Sequence, residues 1–317
     1  MREKKLISVV VPCYNERENL SEVYNRIASV FTKLPYELEL LFVDDGSTDG
    51  SEKNYQKLVD KDSRVKVILM SRNFDGPEPI LFAGMKEACG DAVVLVDADL
   101  QDPPELIEDF LHKWEEGYKV VYGIRGKRKE TLIRRIGYVC FYKIMRQLSF
   151  IDFPLNAGAF GLMDRRVVDI ITSLPEKDVF IRGLRAWAGF KQTGVKYDRP
   201  EREKGDTGFS FLGYMRVAKD AVVNFSYKPL ELVSGIAMAA AALTFIALFF
   251  YLYFAFTTEA PRGFFTLLMA MLFLGTVQLL AIGVIAEYLI RIFREVKARP
   301  PYVVDRVLCK RSRGNRP

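Results

Sequence analysis

Short apolar runs alternate with amphipathic stretches along the first half of the chain. The runs are rich in Val, Ile and Leu and show little alternation of apolar and polar positions, a pattern typical of strands covered on both faces of a largely parallel sheet. They comprise Leu6–Val11, Leu38–Val43, Val65–Met70, Ala92–Val96 and Val120–Ile124. The pattern therefore predicts a series of buried strands in this half.

The amphipathic stretches between these runs have helical periodicity. They are Arg17–Phe31, Ser51–Asp60, Glu78–Ala88 and Pro104–Trp114. The last begins at Asp102-Pro103-Pro104-Glu105, which combines a capping Asp, prolines and an early acid, as helix starts often do. Strands and helices thus alternate, and their order predicts a doubly wound, mostly parallel α/β sheet.

Two long blocks without a charged residue follow, at Leu232–Thr258 and Gly263–Ala286. Each is long enough to cross a hydrocarbon core of ~30 Å as a helix. The short connection Glu259-Ala260-Pro261-Arg262 predicts a two-helix transmembrane hairpin. Lys and Arg are concentrated before the first block and after the second, so the positive-inside rule places both termini in the cytoplasm. A buried hairpin of a soluble protein is disfavoured, because the preceding domain offers too little surface to hide two such helices.

Two other stretches combine cations with apolar residues at helical spacing, Thr131–Phe150 and Phe209–Tyr227. The first fits equally well a helix lying on a membrane and an ordinary surface helix. The second runs into the first apolar block and is the better candidate for an interfacial helix. The sequence predicts a cytoplasmic α/β domain (1–208) followed by a juxtamembrane amphipathic segment (209–229). Two transmembrane helices (230–258 and 263–290) and a basic cytoplasmic tail (291–317) complete the predicted organisation.

Composition changes this picture only in the choice of partners. The 317 residues carry a formal net charge of +6, and 50% of them are hydrophobic. The cations lie near the apolar blocks without a nucleic-acid recognition motif, so an acidic membrane surface is favoured as partner over nucleic acid. The cysteines form no CxxC pair, and the single His112 completes no zinc set with them, which favours incidental thiols in a reducing compartment. They are Cys13, Cys89, Cys140 and Cys309.

Acidic residues follow several predicted strands at their carboxyl ends, where open α/β sheets bind ligands. Asp97-Ala98-Asp99 comes after the fourth strand. Two carboxylates at this spacing can hold one hard cation, and Mg²⁺ or Mn²⁺ held there would neutralise a diphosphate leaving group. The alternative for an isolated triplet is a turn with solvated acids, but its place at the end of a strand favours the metal site.

The segment Asp44-Asp45-Gly46-Ser47 follows the second strand. It is compatible with an Asx-type turn and with a site in which Asp44 or Asp45 hydrogen-bonds a nucleoside base and ribose. Neither a GxGxxG nor a GxxxxGKS/T sequence follows the first strand, so dinucleotide and P-loop sites lack their signatures.

Taken in order, these motifs resemble family 2 glycosyltransferases with the GT-A fold. The resemblance spans nearly the whole chain and points to the branch that uses polyprenyl phosphate, which includes bactoprenol glucosyltransferases and, more distantly, dolichyl-phosphate mannose synthase. It is carried by Val11-Pro12-Cys13-Tyr14-Asn15-Glu16, Asp44-Asp45-Gly46-Ser47, Ser71-Arg72-Asn73-Phe74, the run from Asp97 to Glu105, Glu287-Tyr288, Arg291 and the run from Lys297 to Tyr302.

The resemblance implies a nucleoside pocket at the ends of the first two strands. Its lining would come from Pro12, Tyr14, Glu16 and Asp45, with Asp44 as the neighbouring candidate.

The resemblance also implies residues that handle the reacting groups. Asp97 and Asp99 would hold the metal and the diphosphate, and Gln101 would lie beside the sugar. Arg125 and Arg202 are candidates for pairing with the phosphate of donor or lipid, since an Arg fork suits phosphate oxygens; the alternative for each is a surface cation.

The chain departs from the family pattern at three places. Gly158-Ala159-Phe160 stands where the family often has Gly-Asp-Phe, so the acid sometimes proposed as a base is missing. Asp75–Pro79 lacks the usual Gly-Lys-Glu, and Gly205-Asp206-Thr207-Gly208 lacks a common Lys at its last position. A missing base is tolerable for a phosphate acceptor, which is mostly anionic at neutral pH because the second pKa of a phosphate monoester is about 6.

The prediction is an enzyme that transfers a sugar with inversion, glucose being the leading choice, from a nucleotide diphosphate-sugar, UDP-linked in the leading version, to polyprenyl (undecaprenyl) phosphate. The reaction is placed at the cytoplasmic face of the inner membrane, and the resemblance implies a homo-oligomer. Alternative sugars are mannose, N-acetylglucosamine and an aminoarabinose derivative; the alternative function is a catalytically silent membrane scaffold that binds nucleotide-sugar. A processive polysaccharide synthase is disfavoured, since neither Trp114 nor Trp187 sits in a QxxRW-type motif.

Overall fold

The computed structural model describes residues 4–74, 76–126, 157–177, 179–198, 228–257 and 263–310. These residues fall into two compact units. The first contains the described residues up to 198 together with 299–310, and the second contains 228–257 and 263–298.

The first unit is built on a mixed eight-stranded sheet. Its strands are β1 (Leu6–Cys13), β2 (Glu37–Asp44), β3 (Val65–Met70), β4 (Ala92–Leu95), β5 (Val120–Arg125), β6 (Ala157–Asp164), β7 (Gln192–Tyr197) and β8 (Val304–Cys309). They lie in the order β7-β5-β6-β4-β1-β2-β3-β8. Strands β6 and β8 run antiparallel to their neighbours, and the other pairs are parallel. The α/β class is confirmed, and β1 to β5 lie where the apolar runs predict them.

Helices cover both faces of this sheet. One face packs Leu20 and Ile27 of a helix against Ile7 and Val9 in the main core. On the other face, a Cβ on Gly84 would lie 2.3 Å from Val10 Cγ1, so this helix comes close to the sheet only because the position is glycine. The helices of the unit are α1 (Leu20–Lys33), α2 (Glu52–Lys61), α3 (Pro77–Glu87), α4 (Ile107–Glu115), α5 (Arg165–Ser173) and α6 (Ile181–Trp187), with a 3₁₀ turn at Pro104–Leu106 before α4.

Three strands of this unit, β6, β7 and β8, have no counterpart in the sequence prediction, and β6 and β8 are also antiparallel to their neighbours. Strand β6 inserts between β4 and β5, where a Cβ on Gly161 would lie 2.4 Å from Val121 O. Strand β8 comes from the segment predicted as a basic tail and pairs with β3 at the edge of the sheet. Ser71 N–H donates to Val303 O over 2.9 Å at the start of this pairing. Part of the tail therefore belongs to the α/β unit.

The second unit contains two helices, α7 (Lys228–Thr257) and α8 (Phe264–Lys297). They coincide with the two apolar blocks, and α8 continues beyond its block to Lys297, followed by the C-cap residue Ala298, whose φ is 50°. Among the described residues, one helical stretch, Phe273–Lys297, is long and apolar enough to cross a membrane, with a mean hydropathy of 1.9. The predicted hairpin of two membrane-spanning helices is not confirmed by this finding and stays a prediction.

Candidate active site

The carboxyl ends of β1, β2 and β4 meet at one edge of the sheet. Strands β1 and β2 pair up to Cys13 and Asp44, and Asp45 N–H continues the pairing by donating to Cys13 O over 2.9 Å. On the other side of β1, Val96 N–H donates to Val10 O over 3.0 Å. The acidic residues that follow β2 and β4 therefore leave the sheet on either side of the end of β1. We call this edge the rim.

The loops after β1 and β2 are tied to each other by side chains. Asn15 N–H donates to Ser47 Oγ, and Thr48 N–H donates to Asn15 Oδ1, each over 2.8 Å. Asn15 has a φ of 56°, a left-handed conformation that Asn tolerates better than most residues. Next to it, Tyr14 keeps 47% of its surface exposed. The rim is therefore preformed, and it offers an aromatic ring on which a planar base can stack.

The two adjacent acids after β2 have different partners. Asp44 is buried, and its two carboxylate oxygens accept from Ser47 N–H (2.8 Å) and from the Tyr55 hydroxyl (3.0 Å). Burial raises the pKa of Tyr55, so its hydroxyl stays a donor. Asp45 Oδ1 accepts from Phe74 N–H over 2.9 Å. Asp44 thus organises the turn itself, whereas Asp45 joins the turn to the segment that follows β3.

Asp97 and Asp99 are both half-buried and flank the buried Ala98. Asp99 Oδ1 accepts from Gln101 N–H over 3.1 Å. Leu100, between Asp99 and Gln101, has a φ of 60°, a strained conformation of the kind that clusters at functional sites. No group of three or more His, Cys, Asp or Glu side chains suited to a metal ion occurs in the part of the chain that the structure describes. Two carboxylates nevertheless fit a hard divalent cation that takes its remaining ligands from substrate phosphates and water.

Asp102 anchors the loop that carries these residues. It is fully buried, and the Tyr197 hydroxyl of β7 donates to its Oδ1. Tyr197 in turn packs edge-on against Phe160 of β6, with ring centroids 5.6 Å apart. The 3₁₀ turn that follows has no side-chain cap, so the capping role predicted for Asp102 is wrong. Its side chain instead fixes the loop against β7.

Comparison with known proteins adds to this geometry. The profile described as "Glycosyl transferase family 2" matches residues 8–171. The chain belongs to glycosyl transferase family 2. It is therefore a glycosyltransferase, with the mixed α/β sheet expected of the GT-A fold.

Relatives of this glycosyltransferase match it over nearly its whole length. The "Uncharacterized glycosyltransferase YkcC" of Bacillus subtilis is 42% identical, over 94% of this chain and 93% of its own. The "Bactoprenol glucosyl transferase" of Shigella phage SfII is 37% identical, over 98% of this chain and 99% of its own. Among solved structures, glucosyl-3-phosphoglycerate synthase from Mycobacterium tuberculosis with UDP is 20% identical, covers 69% of this chain and 79% of its own, and has a TM-score of 0.46.

Several predicted site residues of the transferase lie around the rim. Pro12 and Glu16 are half-buried on either side of Tyr14, and Gln101 is buried after Asp99. Arg125 is the last residue of β5 and pairs with Tyr197 of β7. The side chain of Arg125 and the whole of Arg202 lie outside the described residues. Their predicted contacts with phosphate stay predictions.

A group of charged side chains that the sequence analysis did not identify lies beside β5 and β6. Arg185 of α6 is 3% exposed. Its guanidinium lies 4.9 Å from the centroid of the Tyr122 ring, and Nη1 donates to Gly158 O over 3.5 Å. Glu78 of α3 accepts from Ile181 N–H over 2.9 Å, and its other oxygen lies 4.0 Å from Nε of Arg182. We call Glu78, Arg182 and Arg185 the α6 charge cluster.

Proposed function

We propose that this glycosyltransferase moves a sugar, glucose in the leading version, from a UDP-sugar to polyprenyl phosphate at the cytoplasmic face of the membrane. The observation that carries the proposal is the pair of half-buried carboxylates, Asp97 and Asp99, at the end of β4 next to the β1 and β2 loops. The name of the phage SfII relative, which is 37% identical over 98% of this chain, supports the choice of sugar and lipid.

The donor's nucleoside is proposed to bind where β1 and β2 end. Tyr14 would stack on the base, and Pro12 and Glu16 would border the same pocket. Asp45 is proposed to hydrogen-bond the nucleoside, as the resemblance implies, while Asp44 holds the turn through Ser47 N–H and the Tyr55 hydroxyl.

Asp97 and Asp99 are proposed to hold Mg²⁺ or Mn²⁺, which would neutralise charge that builds up on the departing diphosphate. Gln101, buried next to them, is proposed to lie beside the sugar. The left-handed Leu100 and the buried anchor at Asp102 support this role, since together they fix the backbone that presents both carboxylates.

The acceptor requires no general base in this reaction. A phosphate oxygen of the lipid forms a bond to the anomeric carbon, the bond from that carbon to the diphosphate oxygen breaks on the opposite side, and the nucleoside diphosphate leaves. The configuration is inverted and no proton must move, because the lipid phosphate is already anionic near neutral pH. Ala159 on β6, where a carboxylate could have served as base, is compatible with a phosphate acceptor.

Membrane attachment is proposed to come from the second unit, with α7 and α8 both spanning the bilayer and both termini in the cytoplasm. The support is the exposed apolar surface of α8 and the cations Arg291, Arg294 and Lys297 in its last turns. Large exposed side chains on this helix are Phe273, Leu279, Leu280, Leu289, Ile292 and Phe293. Residues 1–208 would then be the catalytic domain, 209–229 the juxtamembrane segment, and 230–258 and 263–290 the membrane helices. A homo-oligomer is part of the same proposal.

The decisive experiment is a donor panel with the full chain purified in detergent. Sugar-labelled UDP-glucose, UDP-N-acetylglucosamine, GDP-mannose and a UDP-aminoarabinose derivative are each incubated with undecaprenyl phosphate and Mg²⁺ or Mn²⁺. We expect label in the organic-extractable lipid with UDP-glucose. Undecaprenol is the matched control acceptor and should give no product, because its hydroxyl needs a base. Absence of labelled lipid with every donor would favour the silent scaffold, and purification without detergent would contradict the membrane assignment.

A further inference from the structure

Arg185 is a buried cation with few partners for its charge. Only 3% of the residue is exposed, and within the part of the chain that the structure describes its buried Nε has no hydrogen-bond partner. Among the described residues, Arg185 donates the 3.5 Å hydrogen bond to Gly158 O and lies over the face of the Tyr122 ring. Burial lowers the pKa of Arg185 to about 10, which leaves the guanidinium charged at neutral pH. Such a group is costly to bury unless an anion balances it.

The carboxylate of the cluster, Glu78, does not balance both of its guanidinium groups. One carboxylate oxygen of Glu78 accepts a hydrogen bond from Ile181 N–H, and the other lies 4.0 Å from Nε of Arg182. Among the described residues of the cluster, two guanidinium groups therefore face one carboxylate. Burial also raises the pKa of Glu78, against the effect of both arginines. The α6 charge cluster thus has an excess of positive charge, and an Arg fork fits phosphate oxygens.

The position of the cluster along the sheet distinguishes between the two phosphate groups of the reaction. Strand β6 pairs Gly161 with Leu95 of β4 and with Tyr122 of β5. Because β6 runs antiparallel to β4, Gly158 lies beyond the carboxyl end of β4, at the level where Asp97 and Asp99 follow. Strand β5 is two strand spacings from β4, about 10 Å. Arg185 contacts Tyr122 and Gly158 and so lies on the side of the carboxylates that faces away from β1 and β2.

This order along the rim matches the geometry of a single displacement. The nucleoside is proposed at β2 and β1 and the diphosphate at β4, so the sugar extends towards β6. The attacking group must approach the anomeric carbon from the side opposite the diphosphate, which is the side of β6 and β5. We propose that Arg185, supported by Arg182, binds the phosphate monoester of the acceptor lipid. This inference rests on the proposed function.

The test measures the acceptor and the donor separately in the full chain in detergent. Arg185→Gln removes the charge at nearly constant volume. We expect it to raise the KM for undecaprenyl phosphate about 10- to 100-fold, the range for loss of charge-assisted hydrogen bonds to phosphate, with the KM for the UDP-sugar within twofold. Arg166→Gln, on the exposed surface of α5, is the matched control and should change neither constant. An acceptor KM within twofold of wild type, or an equal rise in donor KM, would overturn the inference.

Arg182→Gln covers the case in which Arg185→Gln does not fold. The Arg182 side chain is 36% exposed, so its loss is tolerated more easily than that of a buried cation. We expect a smaller rise in acceptor KM, at least about threefold. An unchanged acceptor KM in this folded variant overturns the inference.

A binding measurement separates this inference from the proposed function. Farnesyl phosphate is added to wild type and to Arg185→Gln without a donor, with farnesol as the uncharged control, and the thermal transition is followed. We expect farnesyl phosphate to stabilise wild type more than the variant. If this difference appears but no donor gives labelled lipid, the phosphate site stands and the proposed function fails. If labelled lipid forms but Arg185→Gln keeps the wild-type acceptor KM, the function stands and the site fails.

Discussion

The parallel strands β1, β2 and β4 have carboxylates near both of their ends, and the two environments differ. Near the amino ends, buried Glu39 accepts from Ser8 Oγ (2.5 Å), Cys89 N–H (2.8 Å) and Lys66 Nζ (2.6 Å). Near the carboxyl ends, Asp44 and Asp45 are buried, whereas Asp97 and Asp99, which follow β4, are half-buried.

The backbone also differs between the amino and carboxyl ends of these strands. The left-handed residues Asn15 and Leu100 both lie at the carboxyl end, beside the acids of the rim. At the amino end, Ser8 Oγ both donates to Glu39 and accepts from Gly90 N–H over 2.8 Å. A closed network of this kind holds loops together, whereas strained backbone and half-buried acids are typical of a surface organised for a ligand. We therefore infer that one end of the sheet contributes to stability and propose that the other end binds the ligand.

The largest expected effect is on activity alone and comes from the carboxyl end. Asp99→Asn removes one of the two proposed metal ligands, and we expect kcat for lipid glycosylation to fall by about 10³-fold or more. The temperature of unfolding should change by no more than about 2 °C, because Asp99 is half-buried and its hydrogen bond from Gln101 N–H lies within a turn. Labelled-lipid formation and a thermal melt check both results.

The control for this prediction is Asp109→Asn, an exposed acid in the first turn of α4, which should retain wild-type turnover. If Asp99→Asn also turned over at the wild-type rate, the metal assignment would be lost, and with it the distinction between the two ends.

The next effect is on stability alone and comes from the amino end. Glu39→Ala leaves Ser8 and the Cys89 N–H without their buried acceptor, and we expect a loss of about 2–4 kcal/mol in the free energy of unfolding. The ion pair with Lys66 contributes little to this loss in the free energy of unfolding, because the Lys66 side chain is 39% exposed. At a temperature where the variant is folded, its KM values should match wild type.

The matched control is Glu37→Ala, two positions earlier on the same strand and exposed, with an expected change within about 0.5 kcal/mol. Equal losses for the two variants would show that the network at Glu39 contributes nothing beyond strand β2 itself.

The parts of the fold that sequence predicts are those in which a local pattern and the final environment agree. Strands β1 to β5 are short apolar runs, buried as such runs usually are. Strand β6 contains Gly158, Ala159 and Gly161, residues with low strand propensity. Glycine is needed at position 161, because a Cβ there would lie 2.4 Å from Val121 O. Strand β8 exposes much of its surface at the sheet edge, and its partner β3 is distant in sequence. No local sequence pattern therefore predicts β6 or β8.

The candidate site also combines features that a local sequence pattern predicts with features that depend on long-range contacts. Asp97 and Asp99 are recognisable because two acids follow a buried strand. The difference between Asp44 and Asp45 depends on Tyr55 and Phe74, which approach only in the folded chain. Arg185 has no sequence signal, because its partners Tyr122 and Gly158 come from two other strands. Long-range contacts of this kind decide which charged residue is structural and which is available to a ligand.

The smallest effect concerns the pH dependence of the amino end. Burial favours the neutral form of Glu39, but hydrogen bonds from Lys66, Ser8 and the Cys89 N–H together outweigh it and lower the pKa of Glu39 from its ordinary 4.5. A carboxyl group whose pKa is lower in the folded state contributes stability above its unfolded pKa, and this contribution is lost as the pH falls through the folded pKa. Wild type should therefore lose thermal stability more steeply than Glu39→Gln from about pH 5 downward.

Thermal melts of both proteins from neutral to acidic pH measure this difference. The advantage of wild type over Glu39→Gln should be largest at neutral pH and should shrink at the acidic end, because the variant has no group at this position to protonate. Titration of all other carboxyl groups affects both proteins and cancels in the comparison. A constant gap across this range would mean that Glu39 has the same pKa folded and unfolded, and that its contacts stabilise the fold through packing and neutral hydrogen bonds rather than through charge.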